Sequence, residues 1–571
     1  MSKSRLSAIF ALLCVGINGP AFAQILSPPP EFTQLDESGV DMVTQDLQFA
    51  HAGVSIGPSD HRGLAFTMHY SGGTWRHSFS SLLESVVGLG ILSDTMTIGN
   101  RVQGYEGSLP TNGDDFLKDG TIARFTTRVG GGTDSSGTVT NLYFLDYLEY
   151  PDGVRLTFHY RQAVGGGNSN TRLQSVTTNT GYQMKFYYQS DSMTTDPASV
   201  APWTIVTRVV AINNALEYCD PTANSCALTT AWRQSQYAWV GQIYHMTDAA
   251  GSLTRVRADW NTFALQTPGS ASENRIYTRA SVFDPSRGGQ VRKVTQANID
   301  GMVTNYNFAY SDSSHLNTVT ATGPLSRTRI YKSYYLTPVV ATYTDPMGQN
   351  TSFTYDTFNR LKKAIWPEGN ALEYIYDSDP SYYGRRGNIT LATETAKPGS
   401  SLAPRNESRA FPASVTAGCS KTCNKPTSYT DPMGRVTNYT YDPAHGGKLT
   451  ESLPADDNGI RPVKRYSYAQ RYAWTKNSAG NYVRAATPIW LLAEERTCLT
   501  SATSGNGCAS GASDEIVIAY EYGPDSGPNN LLLRGSVASH RGEFRRTCYA
   551  YDKFGNKVAE TLPRAGLSVC P

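Results

Sequence analysis

The stretch Asp345-Pro-Met-Gly348-Gln-Asn-Thr-Ser-Phe-Thr-Tyr355-Asp356 recurs 86 residues later as Asp431-Pro-Met-Gly434-Arg-Val-Thr-Asn-Tyr-Thr-Tyr441-Asp442. A related copy lies between them, from Gly369 to Tyr376-Asp377. In all three copies the glycine precedes the Tyr-Asp pair by seven residues. Glycine favours turns, and tyrosine and threonine favour pleated strands. The recurrence therefore predicts a repeated unit of one turn followed by one strand.

The same seven-residue interval occurs earlier in the chain. It separates Gly153 from Tyr160, Gly181 from Tyr188 and Gly301 from Phe308. Odd offsets from the glycine are often apolar, as at Leu156 and Met184, whereas even offsets are more polar, as at Lys185. Alternation with a period of two is typical of a strand with one buried face. We expect the glycine to supply the positive φ of the turn.

The spacing of the copies predicts the fold class. Tyr355 and Tyr376 are 21 residues apart, which is enough for a turn, a strand, a second turn and a returning strand. A single hairpin is marginally stable in water, but stacked hairpins bury a continuous face. We therefore predict an all-β array of antiparallel hairpins that forms an extended, curved, shell-like sheet. Both an open and a partly closed sheet are compatible with this pattern.

At these residues the chain resembles a known family. Tyr-Asp followed by Asn359-Arg360-Leu361, and Asp-Pro-x-Gly leading to Thr-x-Tyr-Asp, are similar to the YD repeats of Rhs proteins. The resemblance covers residues 36–80 and 145–190 and is strongest from 290 to 445. It implies hairpins that coil into a hollow shell, which in large members encloses a carboxy-terminal toxin and ends in a self-cleaving segment. Other members serve in cell-surface contact or carbohydrate binding.

The chain departs from the large members of that family. Its last repeat-like segment, Tyr551-Asp552, lies almost at the end of the sequence. We therefore expect a short member without a toxin domain.

The first 23 residues have the pattern of a signal peptide. Lys3 and Arg5 precede an apolar stretch over residues 6–17, and Ala21-Phe22-Ala23 provides a small-x-small cleavage site. The sequence thus predicts cleavage after Ala23 and a secreted, periplasmic or cell-surface protein. Later segments lack the roughly 18 uninterrupted apolar residues of a membrane span, so none is predicted.

Eight cysteines follow the predicted signal peptide in four local pairs. In an oxidising compartment, local disulfides are the favoured use. The candidate pairs are Cys219–Cys226, Cys419–Cys423, Cys498–Cys508 and Cys548–Cys570. A metal site at Cys419-x3-Cys423 is the alternative, but nearby Cys or His ligands to complete it are lacking, so no metal is predicted.

Composition shifts divide the chain into six regions. They are the signal peptide (1–23), a Pro-rich leader (24–35), an amino-terminal Rhs-like β region with early repeats (36–200), an insertion with a Cys pair (201–285), the clear YD-repeat array (286–445) and degenerate β repeats with Cys pairs (446–571).

The sequence indicates neither an enzyme nor a cofactor. Phosphate-binding loops and nucleophile motifs are absent. Asp345-Pro346 and Asp431-Pro432 match a cleavage-site element of the resembling family, but each is followed by more repeats, so a turn is the preferred interpretation over autoproteolysis. The 50 basic and 48 acidic residues nearly balance, so nucleic acid is not an expected partner.

Two functional hypotheses follow. The first is an exported scaffold or partial encapsulating shell that assembles with a second Rhs-type chain, or with a downstream toxin or effector, at the unpaired edge of its last hairpin. The alternative is a protein that binds carbohydrate or a cell surface, including a surface glycan, through exposed aromatic residues.

Overall fold

The structure is a computed structural model. It describes residues 35–88, 91–99, 101–106, 114–116, 120–133, 138–163, 171–193, 199–284, 289–311, 315–334, 339–377, 387–412, 421–457, 459–499, 508 and 511–571. The predicted signal peptide lies outside these residues.

Three smaller sheets accompany one large sheet. The first has three strands, β1 (Phe49–Ile56), β2 (Leu64–Ser71) and β3 (Thr74–His77). The second has the order β6-β5-β4-β10-β9 and contains β4 (Ser81–Gly88), β5 (Ile91–Ile98), β6 (Arg101–Glu106), β9 (Thr127–Thr133) and β10 (Val139–Phe144). The third pairs β35 (Trp474–Lys476) with β36 (Tyr482–Arg484).

The large sheet is antiparallel and follows chain order through most of its strands. Its amino-terminal part contains β7 (Asp114–Phe116), β8 (Ile122–Arg124), β11 (Tyr147–Glu149), β12 (Arg155–Gln162), β13 (Thr171–Thr178), β14 (Tyr182–Tyr188), β15 (Val206–Asn213), β16 (Gln234–Val240), β17 (Ile243–Thr247), β18 (Leu253–Ala258), β19 (Thr262–Gln266), β20 (Arg275–Asp284), β21 (Gly289–Ile299) and β22 (Met302–Ser311).

The sheet continues through the clear repeats and beyond them. These strands are β23 (Leu316–Thr322), β24 (Thr328–Tyr334), β25 (Val340–Thr344), β26 (Asn350–Tyr355), β27 (Leu361–Ile365), β28 (Ala371–Tyr376), β29 (Ile389–Thr395), β30 (Arg405–Ala410), β31 (Ser428–Thr430), β32 (Val436–Tyr441), β33 (Lys448–Ser452), β34 (Val463–Arg471), β37 (Ile489–Cys498), β38 (Glu515–Tyr522), β39 (Leu533–His540), β40 (Glu543–Tyr551) and β41 (Lys557–Thr561). The predicted all-β fold of antiparallel hairpins is confirmed.

Helical structure is sparse in the described residues. A single turn of α-helix, α1 (Val200–Thr204), precedes β15, and 3-10 turns occur at Pro324–Ser326, Gly511–Asp514 and Pro563–Ala565. Within the described ranges, no helix has the length and apolar character needed to cross a membrane.

The large sheet closes on itself. Its strand order runs from β11 to β41 and returns through β7 and β8 to β11. The expectation that the last hairpin has an unpaired outer edge is therefore wrong. The strand that covers this edge, β7, comes from the amino-terminal region. A pairing between strands more than 400 residues apart in sequence cannot be recognised from a local repeat.

An amino-terminal segment, residues 35–80, packs against one face of the large sheet. Phe66 contacts Phe186 of β14 and Tyr237 of β16, with ring centroids 5.7 Å apart in both pairs. Tyr70 lies 4.5 Å from Phe263 of β19. These side chains belong to one continuous hydrophobic core. The segment thus supplies the second layer that the sheet needs to bury its apolar face.

A disulfide-closed excursion covers the other face of the early strands. The chain leaves the sheet after β15 and returns at β16, and Cys219–Cys226 closes a loop within this excursion. Lys185 is fully buried beneath it and donates to the backbone carbonyls of Asp220 and Pro221, 3.3 and 3.2 Å away. The alternation predicts one buried face here, but both faces of the strand are covered. Lys185 can be buried because the loop carbonyls accept its hydrogen bonds in place of water.

Candidate functional site

The turns of the repeat are built by aspartate and glycine together. The Oδ1 atom of Asp345 accepts hydrogen bonds from the backbone amides of Met347 and Gln349, at 2.8 and 2.9 Å. Gly348 follows with φ +78° and donates its amide to the Asp345 carbonyl. Asp431 makes the equivalent bonds, and the glycines seven residues before the aromatics all have positive φ: Gly153, Gly181, Gly301, Gly348, Gly369 and Gly434.

These bonds bear on whether the Asp-Pro pairs are structural turns or sites of autoproteolysis. The carboxylate of Asp345 is held by amides of its own turn, and Met347 beside it is 83% exposed to solvent. An open turn of this kind lacks the enclosed, preorganised surroundings in which a carboxylate attacks a peptide bond. The local geometry matches a structural turn.

The tyrosines that end the strands form a second shared feature, and we call Tyr160, Tyr188, Tyr355, Tyr376 and Tyr441 the repeat tyrosines. In every copy the strand pairing shifts register at the tyrosine, as at Thr354/Tyr355 and Ile375/Tyr376. Such a shift is a β-bulge, which increases the local twist and bends the strand. Each repeat thus bends the sheet once, at its tyrosine.

The hydroxyl group explains why tyrosine stands at this position. Tyr355 donates to the carbonyl of Val340 at 2.8 Å, and Tyr376 donates to the carbonyl of Leu361 at 2.7 Å. Tyr160 and Tyr188 make the same bond, each to a carbonyl 15 residues earlier. Burial raises the pKa of Tyr355 to about 12, so this hydroxyl remains a donor. Phe308 lacks the hydroxyl, and its pairing with Val319 continues without a register shift.

The aspartates after the repeat tyrosines begin the opposite turns. Asp356 Oδ1 accepts from the amides of Phe358 and Arg360, and Asp442 Oδ1 accepts from the amide of Ala444. The amide of Asp377 donates to the carbonyl of Asn388. The Tyr-Asp pair therefore combines a bulge with the start of a turn.

Further copies of the tyrosine feature lie outside the repeat pattern of the sequence. Tyr468 donates to the carbonyl of Lys448 and Tyr522 to that of Leu492, and both tyrosines stand at register shifts. Neither has a glycine seven residues before it. A tyrosine at the end of a predicted strand, even without a glycine seven residues before it, is the signal that could have identified them.

The turn after β40 joins distant parts of the chain, and we call this contact the seam. The carbonyl of Phe554 accepts from the amide of Gly57 at 2.7 Å, and the Phe554 ring lies 4.1 Å from the Arg233 guanidinium carbon. The Lys553 carbonyl accepts from the side-chain amide of Asn213 at 3.1 Å. The seam thus ties a late hairpin to the amino-terminal segment and to strands early in the sheet.

A histidine ion pair strengthens the same region. His61 Nε2 lies 2.7 Å from Asp152 Oδ2, and its ring packs 4.5 Å from Tyr150. Burial alone would lower the pKa of His61, but the hydrogen bond and charge of Asp152 outweigh it and raise the pKa. The pair joins the loop after β1 to the turn before β12.

His77 has the opposite environment. Its ring lies between those of Phe66 and Phe186, with centroids 5.5 and 5.4 Å away, and its Nδ1 accepts from the Phe79 amide. Burial, with a smaller contribution from His69, lowers the pKa of His77 to about 4. The described residues contain no group of three or more His, Cys, Asp or Glu placed to hold a metal ion.

The late strands carry a polar wall on the face that is apolar in the early strands. Tyr466 donates to Glu451 Oε2 at 3.2 Å, and Lys448 lies 2.7 Å from the same oxygen. Tyr439 stands opposite Glu451 on the next strand, and Glu495 stands opposite Tyr466. Burial of Glu451 raises its pKa, but Lys448 more than offsets this and the pKa is lowered.

The structure joins three of the four cysteine pairs. Disulfides link Cys219 to Cys226, Cys498 to Cys508 and Cys548 to Cys570. Cys423 is also disulfide-bonded. Its predicted partner, Cys419, lies outside the described residues. The bonds fit a protein that folds in an oxidising compartment.

Exposed aromatic side chains lie at one edge of the large sheet. Trp239, Trp260 and Phe283 are 49%, 78% and 56% exposed and lie at or near the ends of three successive hairpins, β16–β17, β18–β19 and β20–β21. We call this row the aromatic rim. Arg292 of β21 stacks on Trp260, with its guanidinium carbon 3.4 Å from the ring centroid. Exposed aromatic residues are expected from the sequence, but these three positions are not identifiable from it.

Comparison with known proteins gives matches among solved structures alone. No family model and no curated protein matches the chain. Among solved structures, the chain is similar to TcdB2-TccC3 (12% identity, TM-score 0.29, covering 87% of this chain and 29% of that one) and to TcdB2-TccC3-Cdc42 (11%, 0.26, 90% and 26%). It is also similar to TcdB2-TccC3-TEV (11%, 0.26, 98% and 29%). The chain spans less than a third of the length of each.

Proposed function

We propose that the chain is an exported structural protein that acts as a scaffold or partial encapsulating shell. The observation that carries the proposal is the closed strand order of the large sheet, in which β7 and β8 complete the ring. A ring of hairpins provides an enclosing surface, and the one bulge per repeat gives the curvature that such a surface requires.

The face that carries the amino-terminal segment is the proposed interior. On the late strands this face holds the polar wall, where Glu451 is satisfied by Lys448 and Tyr466. Polar groups whose hydrogen bonds are satisfied keep such a surface hydrated. The surface therefore does not bind the apolar core residues of an enclosed polypeptide. The proposed role is physical enclosure without catalysis.

A partner chain is part of the proposal. Val558 of β41 is 62% exposed, and Leu562 and Val569 beyond it are 58% and 72% exposed. Exposed aliphatic side chains gathered at the last strand favour a protein contact there. We propose a second repeat chain, or a downstream effector, as the partner, and secretion or the periplasm as its compartment.

Small-angle X-ray scattering of the processed chain tests the shell. A hollow particle gives a distance distribution shifted beyond that of a filled particle of the same mass. A filled-particle distribution would contradict enclosure. Native mass spectrometry after pull-down from the producing cell tests the partner, and a monomer recovered repeatedly without one would contradict that part.

The aromatic rim favours a second candidate function, namely binding of a surface glycan. Trp260 is the most exposed tryptophan of the described chain, at 78%. Flat aromatic faces in water are the usual platforms for sugar rings. A glycan array with the intact chain and with Trp260→Ala tests this candidate, and identical profiles for the two proteins would contradict it.

A further inference from the structure

A cleft of about 210 Å³ lies between the amino-terminal segment and strands β20 and β21, next to the aromatic rim. Its walls include Gln45, Asp46 and Tyr70 on one side and Arg279 and Arg292 on the other. The cleft therefore depends on the docking of two parts of the chain that are far apart in sequence.

The cleft carries two arginines without carboxylate partners. Arg279 donates to the Tyr70 hydroxyl at 2.6 Å and to the backbone carbonyls of Asp259 and Thr262, while its Nε is buried without an acceptor among the described residues. Arg292 stacks on Trp260. Within the described residues, neither guanidinium lies within ion-pair distance of a carboxylate. Desolvation and the charge of Arg279 lower the pKa of Arg292, and the more distant charge of Asp259 offsets this only in part.

A buried acceptor also lines the cleft. Gln45 is 1% exposed, and its side-chain nitrogen donates to the Val294 carbonyl. Its Oε1 has no hydrogen-bond partner among the described residues. A buried acceptor without a donor is unfavourable because it has lost its hydrogen bond to water, so a hydroxyl donor from a ligand would restore a bond at this atom.

The aromatic rim extends this site along the edge of the sheet. Successive hairpins are two strands apart, or roughly 10 Å. Trp239, Trp260 and Phe283 therefore offer apolar platforms at regular intervals along the edge of the sheet. Such a row suits an extended polymer of flat rings better than a compact molecule.

We propose that this cleft and the aromatic rim bind an acidic polysaccharide. A uronate carboxylate would lie between the guanidinium groups of Arg279 and Arg292, held by the N–H donors of Arg292 and by the positive charge of Arg279. A ring hydroxyl would donate to Gln45 Oε1, and the free face of Trp260 would carry a sugar ring. An acidic peptide would satisfy the arginines but presents no ring to Trp260. This inference rests on the second candidate function, not on the shell.

Isothermal titration of the processed chain tests the assignment with three probes: tetragalacturonate, a neutral galactose tetrasaccharide and tetraglutamate. We expect binding of tetragalacturonate alone, weakened by added salt. Arg292→Gln and Trp260→Ala should each weaken it roughly tenfold. Trp366→Ala is the matched control, because Trp366 is 39% exposed away from the cleft, and it should bind as the parent does.

The outcomes separate the proposals. Equal binding of tetraglutamate would replace the saccharide with an acidic peptide and overturn the inference. Tetragalacturonate affinity unchanged by both cleft variants, with circular dichroism unchanged, would overturn this cleft as the site while leaving glycan binding itself intact. Absence of binding by all probes and on the glycan array would refute both the inference and the second candidate function.

Discussion

Replacement of Tyr376 by phenylalanine tests the role of the repeat tyrosines. The change removes one hydroxyl and leaves the ring, which packs beside the Arg360 guanidinium at 4.2 Å. The hydroxyl donates to the Leu361 carbonyl at 2.7 Å. Loss of one such bond costs about 1 kcal/mol, and a carbonyl left without a donor in a half-buried place raises the cost towards about 2 kcal/mol.

Urea unfolding with a fixed m-value measures this cost, and hydrogen exchange of peptides from β27 and β28 locates it. We expect the unfolding free energy of Tyr376→Phe to fall by about 1–2 kcal/mol, with faster exchange in these two strands. Tyr482→Phe is the control, because Tyr482 is 40% exposed on β36, outside the large sheet. Its stability should change by less than about 0.5 kcal/mol.

A second variant separates the hydroxyl from the bulge. Phe308→Tyr introduces a hydroxyl in a copy whose pairing with Val319 has no register shift, so we expect no gain in stability. The reasoning is refuted if Tyr376→Phe unfolds with the free energy of the parent and exchanges at the parent rate. It is also refuted if Phe308→Tyr stabilises the chain by as much as Tyr376→Phe destabilises it.

Three further predictions concern pH, disulfides and chain integrity. Because the folded pKa of His77 is lowered to about 4 from an ordinary value of about 6.5, its contribution to stability is complete above pH 6.5 and is lost as the pH falls to 4. Urea titrations of His77→Phe should therefore show up to about 3 kcal/mol less dependence on acid than the parent, and equal slopes would contradict this. Cys548→Ser with Cys570→Ser opens a 22-residue loop and should cost about 3 kcal/mol of unfolding free energy, and an unfolding free energy equal to that of the disulfide-bonded parent would contradict this. Intact mass should show loss of residues 1–23 alone, unchanged by Asp345→Ala, and a fragment boundary at Asp345 would favour autoproteolysis.

Much of the fold could be predicted from the sequence because its determinants are local. An aspartate and a glycine three residues apart fix one turn, and a tyrosine seven residues after the glycine ends the strand. These contacts involve neighbouring strands only, so they recur as a period that can be recognised in the chain. Disulfides such as Cys219–Cys226 were predictable for the same reason.

The closure of the sheet and the candidate glycan site could not be predicted in this way. β7 completes the ring from the amino-terminal region, and Gln45 lines the same cleft as Arg279 although more than 200 residues separate them. Neither pairing has a period or a motif. The burial of Lys185 was missed because a covering loop is invisible to strand alternation.

The partners of the turn aspartates and of the repeat tyrosines have an evolutionary consequence. Asp345 binds backbone amides, and Tyr355 binds a backbone carbonyl. Every amino acid except proline offers both groups, so the residues that receive these bonds are free to change identity. Each 21-residue period thus needs a particular amino acid at only a few positions. Lineages that share this architecture can therefore drift until their sequences no longer align, while the hairpins keep their places.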